Sequence, residues 1–247
     1  MAYTSRKSAR GAATLLKNLI GATALASCGF AQAGVLNFET PVDSPFVFSG
    51  SYMEMGNYWV ETYGGALTSD LAGAIVNGSD TDTCFSVSCP VNNPTNYFSL
   101  LNDSYFYFGL NSGSTFRLQG FQASFIGAGQ ASFPAVSGLL VLQGFDQDGY
   151  AVGAATQYGL SGPTGGAFNF ASYSTDYLGS LDVSFVRVLG YACDATGNCN
   201  RSSNLANFAI DNIVTVSADD VEVPEPASLA LLGLGLLGFA YNRRRAA

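Results

Sequence analysis

Between residues 34 and 217 no stripe of apolar residues at helical spacing persists beyond two turns. Apolar or alternating runs recur instead, each short and each bounded by Gly, Asn or Asp, which is how half-buried strands and their turns read. The first is Val35-Leu36-Asn37-Phe38-Glu39, ended by Pro41, and the second is Asn57-Tyr58-Trp59-Val60-Glu61-Thr62-Tyr63. Residues 104–110 and 116–126 flank an Asn111-Ser112-Gly113-Ser114 turn. Residues 138–145 and 150–158 flank Asp146-Gln147-Asp148-Gly149, a hairpin signal because Asp and Gly tolerate the positive φ of such turns. A strong run covers 181–189 and the last covers 207–216, in which alternation places Phe208, Ile210, Val214 and Val216 on one face and Ala209, Asp211 and Ile213 on the other.

The composition of this body agrees: Phe, Tyr, Val, Gly, Ser, Thr and Asn are abundant, Lys and Glu scarce. About eight to ten strands in one domain predict an all-β fold, a two-sheet β-sandwich of jelly-roll type. Residues 64–96 are rich in Gly, Ser, Asn and Asp and are predicted to form a long ordered loop, the kind that more often carries function than fills space.

Both ends differ from the body. Arg6, Lys7, Arg10 and Lys17 precede and flank a mostly apolar stretch, residues 15–26, and Ala31-Gln32-Ala33 is a small-x-small cleavage site, so residues 1–33 are predicted to be a signal peptide. Leu25-Ala26-Ser27-Cys28 offers the competing reading of a lipoprotein lipidated at Cys28. Residues 34–217 form the sandwich domain, residues 218–226 an acidic linker ending in Pro-Glu-Pro, and residues 227–247 a transmembrane helix with an Arg-rich tail. The apolar segment 227–241 would reach only about 22 Å as a helix against a hydrocarbon core of ~30 Å, a marginal anchor. Arg243, Arg244 and Arg245 would stay on the cytoplasmic side.

The order Val223-Pro224-Glu225-Pro226, a glycine-punctuated Leu run and then the Arg cluster resembles the PEP-CTERM sorting signal of bacterial exported proteins. That resemblance implies an exosortase-type protease as a partner, a transient inner-membrane intermediate, and a final place at the cell surface or in the extracellular matrix, in association with exopolysaccharide. An uncleaved single-span anchor is the alternative.

All 18 acidic residues lie between Glu39 and Glu225, whereas seven of the ten basic residues sit in the terminal segments. The body keeps Arg117, Arg187 and Arg201 and has no lysine, which argues against a nucleic-acid partner because phosphate neutralisation needs a basic surface. Cys84 and Cys89, and Cys193 and Cys199, form two close pairs that read as local disulfides in an exported chain. The alternative, a four-thiolate zinc site, usually has ligands two to four residues apart.

The sequence has no histidine, so Ser-His-Asp and Cys-His catalysis and histidine-ligated metals are excluded. A glycoside hydrolase would need two carboxylates about 5 to 10 Å apart, and no pair stands out. The chain is therefore expected to be non-catalytic. Tyr52, Tyr58, Trp59 and Tyr63 would form a sugar-stacking platform or fill the core, with Trp59 and Tyr58 the ligand-binding candidates, while Tyr107 and Phe108 are expected in the core.

Leu36-Asn37-Phe38-Glu39 and Phe208-Ala209-Ile210-Asp211-Asn212-Ile213 resemble the first and last strands of jelly-roll carbohydrate-binding modules. The resemblance implies a structural Ca²⁺ held by Glu39 and Asp211, with carbonyls and water completing the shell. The plainer alternative makes Glu39 an edge charge and has Asp211 bond a neighbouring turn. Asp146 and Asp148 are a second cation candidate, against capping of their own turn. The expected function is that of an exported surface or matrix protein, structural or adhesive. The alternatives are a carbohydrate-binding module or a glycoside hydrolase.

Overall fold

The computed structural model of the chain describes residues 33–65, 71–84, 87–201 and 203–218. The expected signal peptide up to Gln32, the linker beyond residue 218, the Pro-Glu-Pro motif and the apolar tail lie outside them.

Two seven-stranded antiparallel sheets make a sandwich. The first runs β11 (Ala171–Ser174), β8 (Phe116–Phe125), β14 (Phe208–Ser217), β6 (Asn96–Leu100), β5 (Leu71–Asn77), β2 (Phe46–Phe48), with β1 (Ala33–Leu36) beside the second half of β14. The second runs β10 (Ala151–Ser161), β9 (Val136–Phe145), β12 (Phe185–Cys193), β7 (Tyr105–Leu110), β4 (Tyr58–Tyr63), β3 (Tyr52–Met55), with β13 (Cys199–Asn200) on the end of β12. The first and last strands of the domain are thus neighbours, Ala33 opposite Val216 and Leu36 opposite Ile213.

Aromatic side chains fill the space between the sheets. Phe38, Phe98, Phe106, Phe108, Phe116 and Phe208 are fully buried, and Phe98 meets Phe106 edge to face at 5.4 Å, a geometry that adds to plain area burial. Part of the outer face of the first sheet, around β5 and β6, is buried as well. Tyr97, Val76, Ile126 and Phe170 form a second cluster, with Val87 and Cys84 of the segment between β5 and β6 packed against it. The Cys84–Cys89 disulfide holds that segment, and a Cys193–Cys199 disulfide closes the turn between β12 and β13.

Two expectations change. Residues 64–96 are not one loop, because Leu71–Asn77 is a strand of the first sheet. Its Leu-Ala-Gly-Ala-Ile-Val run lacks alternation because both faces are covered. In β14 the predicted alternation breaks: Asn212 has φ +49°, the register slips between Asp211 and Val214, and Ile213 takes the core position expected of Val214. A bulge inserts one residue and reverses the parity of everything after it.

Candidate functional site

The second sheet leaves part of its outer face open, and cross-strand register arranges that face in three ranks. Trp59 on β4, Gly109 on β7, Phe185 on β12 and Phe145 on β9 form the first, each directly opposite the next. Two residues along the strands come Glu61, Tyr107, Arg187 and Gln143, then Tyr63, Tyr105, Leu189 and Val141. Trp59, Glu61, Tyr63, Tyr105, Tyr107, Phe145, Gly149 and Phe185 line an open cleft of about 490 Å³, within the size range of small-molecule sites.

The rings form a connected layer. Phe145 stacks on Phe185 at 5.1 Å, Trp59 tilts onto Phe185 at 6.2 Å, and Tyr107 meets Phe185 edge-on at 5.9 Å. Tyr63 stacks on Tyr105 at 5.4 Å and meets Tyr107 edge-on at 5.7 Å. Gly109 lets the indole lie against the sheet, since a Cβ there would come within 2.8 Å of three Trp59 ring atoms. Polar groups converge on the same face. The Tyr63 hydroxyl donates to Glu61 Oε1 at 2.7 Å, and that bond, with Glu61's charge, pushes the phenol pKa up to about 12. The Arg187 guanidinium lies over the Phe145 ring at 5.5 Å and that of Arg201 over Tyr105 at 5.4 Å.

Strand alternation decides which candidates belong to the cleft. Trp59 does; its neighbour Tyr58 points the other way, is 2% exposed, and its hydroxyl shares a 2.7 Å hydrogen bond with Thr215, so it packs the core. Tyr107, expected in the core, faces the cleft, while Phe108 is buried as expected. Tyr52 is exposed and not among the cleft residues. Glu61, Tyr105, Phe145 and Phe185 were missed, as was Arg187 over the Phe145 ring, although Tyr105-Phe106-Tyr107-Phe108 carries the signal: rings with a polar tip alternate with rings without one.

Glu39 lies three residues beyond the end of β1, and Asp211 lies on β14, the strand that β1 pairs with. Exposed Glu39 accepts the Asn96 backbone N–H at 2.7 Å. Asp211 is 1% exposed, and its Oδ2 accepts from Asn93 Nδ2, Thr95 Oγ1 and Asn212 Nδ2 at 2.8, 3.3 and 3.1 Å. Its Oδ1 is buried with no partner. Burial raises the Asp211 pKa, the hydrogen bonds lower it, and the nearby Glu39 charge raises it further. Among the described residues no group of three or more His, Cys, Asp or Glu side chains is positioned for a metal, yet an orphaned carboxylate oxygen beside a second carboxylate fits a hard cation whose remaining ligands are carbonyls and water. At Asp146 the Oδ1 accepts the backbone N–H groups of Asp148 and Tyr150 at 3.0 and 2.9 Å, so it caps its own turn.

Fold and site define an all-β sandwich with an aromatic cleft on one sheet. Residues 222–245 match the PEP-CTERM protein-sorting motif. The chain carries that signal and is an exported protein sorted through the membrane. A comparison with curated proteins finds no match. Among solved structures, a DUF4465 family protein from Bacteroides caccae is similar over 75% of this chain and 99% of its own, at 11% identity and a TM-score of 0.50. At that identity the likeness is one of fold. A DUF4465 family protein from Bacteroides ovatus matches over 76% and 99% at 10% identity and a TM-score of 0.42. The C-terminal family 22 carbohydrate-binding module of Clostridium thermocellum Xyn10B matches over 73% and 99% at 13% identity and a TM-score of 0.32.

Proposed function

We propose that this chain is a non-catalytic surface or matrix protein that binds an extracellular polysaccharide in the aromatic cleft of its second sheet. The observation that carries the reading is the aromatic layer, with Trp59 over Gly109, Glu61 between the two aromatic ranks and the Arg187 guanidinium over the Phe145 ring. Flat rings take the apolar faces of sugar rings, and the polar groups offer donors and acceptors to their hydroxyls. Among the described residues lining the cleft Glu61 is the sole carboxylate, which favours binding over hydrolysis by a carboxylate pair. The sandwich is of jelly-roll type, and Glu39 and Asp211 would hold a structural Ca²⁺ whose charge offsets their mutual repulsion and ties the first strand to the last. The Pro224-Glu225-Pro226 tail is removed by an exosortase after a membrane-held intermediate, releasing the domain to the surface or matrix.

Affinity electrophoresis of the purified protein through gels containing its producer's exopolysaccharide tests the function. Retardation is expected for the parent and not for Trp59→Ala. Equal mobility of the parent with and without polysaccharide would remove the reading.

A further inference from the structure

Between Glu39 and Asp211 the body carries fourteen carboxylates and three arginines, with no lysine or histidine. Arg117 is committed to an ion pair with Asp182, its Nε 2.6 Å from Oδ1. Arg201 donates from Nη2 to the Asp103 carbonyl, which holds its guanidinium over Tyr105; it has no ion pair among the described residues and its Nε too is buried without an acceptor. Arg187 has no ion pair among the described residues, its Nε is buried without an acceptor, and its guanidinium lies over the ring of Phe145, which lines the cleft. The free positive charge of an otherwise acidic domain is therefore concentrated on the face that would take the glycan.

We propose that Arg187 makes the cleft selective for an acidic polysaccharide, by receiving the carboxylate of a uronic-acid residue. This rests on the aromatic cleft being the glycan site. A guanidinium presents parallel N–H donors that match a carboxylate two to two, a geometry a lone sugar hydroxyl cannot fill. The stacking on Phe145 holds the fork in place before the ligand arrives, so little freedom is lost on binding. Glu61 sets the register. It occupies the same rank on the far side of Tyr107, two strand spacings or about 10 Å from Arg187 between backbones. Its charge repels a second carboxylate and accepts from hydroxyls, so an acidic sugar sits over Arg187 and a neutral one over Glu61. The site thus selects a chain in which charged and uncharged sugars adjoin, and it predicts opposite signs for neutralising the two residues.

The test uses gellan, welan and xanthan, in which acidic and neutral sugars adjoin, each paired with its carboxyl-reduced form, so that backbone and linkage stay constant while the charge is removed. The expected result is that at least one acidic member binds about ten- to a hundredfold more tightly than its reduced partner, the span of one charge-assisted contact. Arg187→Gln erases that ratio, Arg187→Lys keeps part of it, and Glu61→Gln increases it. Equal binding of acidic and reduced forms, or an acid preference that survives Arg187→Gln, overturns the assignment and leaves the glycan cleft standing. Failure of the parent to bind all six polysaccharides overturns the cleft reading as well.

Discussion

Gly109→Ala tests the geometry of the cleft without removing any of its side chains. A Cβ at this position would stand 2.8 Å from Trp59 Cε2, Cζ2 and Nε1, and ordinary contact begins near 3.4 Å, so the indole must lift by at least 3.4 − 2.8 = 0.6 Å. Overpacking of this kind costs about 1–3 kcal/mol, towards the lower end where the ring can rise into an open cleft. Replacing glycine in a strand returns about 0.5–1 kcal/mol. The net is about 1 kcal/mol of lost stability, or a Tm lower by about 2–4 °C for a domain of this size. The larger effect is local. Trp59 is the only tryptophan in the sequence, so its emission reports on the cleft alone. Lifting the ring is expected to shift that emission, raise its accessibility to acrylamide quenching, and weaken polysaccharide binding at least several-fold. Emission, quenching and binding all matching the parent would show that the indole does not lie over Gly109, and the stacking surface would lose its centre.

Other perturbations reach the remaining parts of the account. Phe208→Ala removes a fully buried ring between the sheets and is expected to cost about 3–5 kcal/mol in denaturant unfolding; a loss under about 1 kcal/mol would contradict its place in the core. Asp211 has a raised pKa in the folded chain, so in chelator its ionised form opposes folding. The stability it withholds near neutrality returns as pH falls through that raised value towards the ordinary 3.8. Ca²⁺ is expected to raise the Tm of the parent at neutral pH and to leave Asp211→Asn unchanged, and an equal rise in both would remove the metal from this site. Replacing Cys193 and Cys199 by serine opens the turn between β12 and β13, with an expected loss of about 2–3 kcal/mol for so short a loop. An unchanged melting curve would show that the disulfide constrains nothing in the unfolded chain.

Much of this was legible in the sequence, and the failures have local causes. Period-two alternation marked strands that have one wet face, Asn57 to Tyr63 and the run through Tyr107, and turn chemistry marked the hairpin at Asp146 and Gly149. Alternation could not mark β5, whose two faces are both covered and whose residues are therefore uniformly apolar or small. Nor could it place Ile213, because nothing in Phe-Ala-Ile-Asp-Asn-Ile announces that Asn212 will adopt a left-handed conformation and shift the register by one. The cysteine pairs were readable because their loops are short. The cleft was half legible. Trp59 was singled out for its ring, but Tyr58 beside it could not share the same face. Gathering Phe145 and Phe185 with it depended on which strands became neighbours, and strand order is long-range information that local pattern does not hold.

The most direct test of the central claim is a titration of the purified protein with exopolysaccharide from its own producer, followed by the emission of Trp59. A saturable change in emission in the parent, lost in Tyr107→Ala and Phe185→Ala while both variants remain folded, is the predicted result. Emission that stays flat across the titration, or a change that persists undiminished in both variants, would contradict a glycan site on the second sheet.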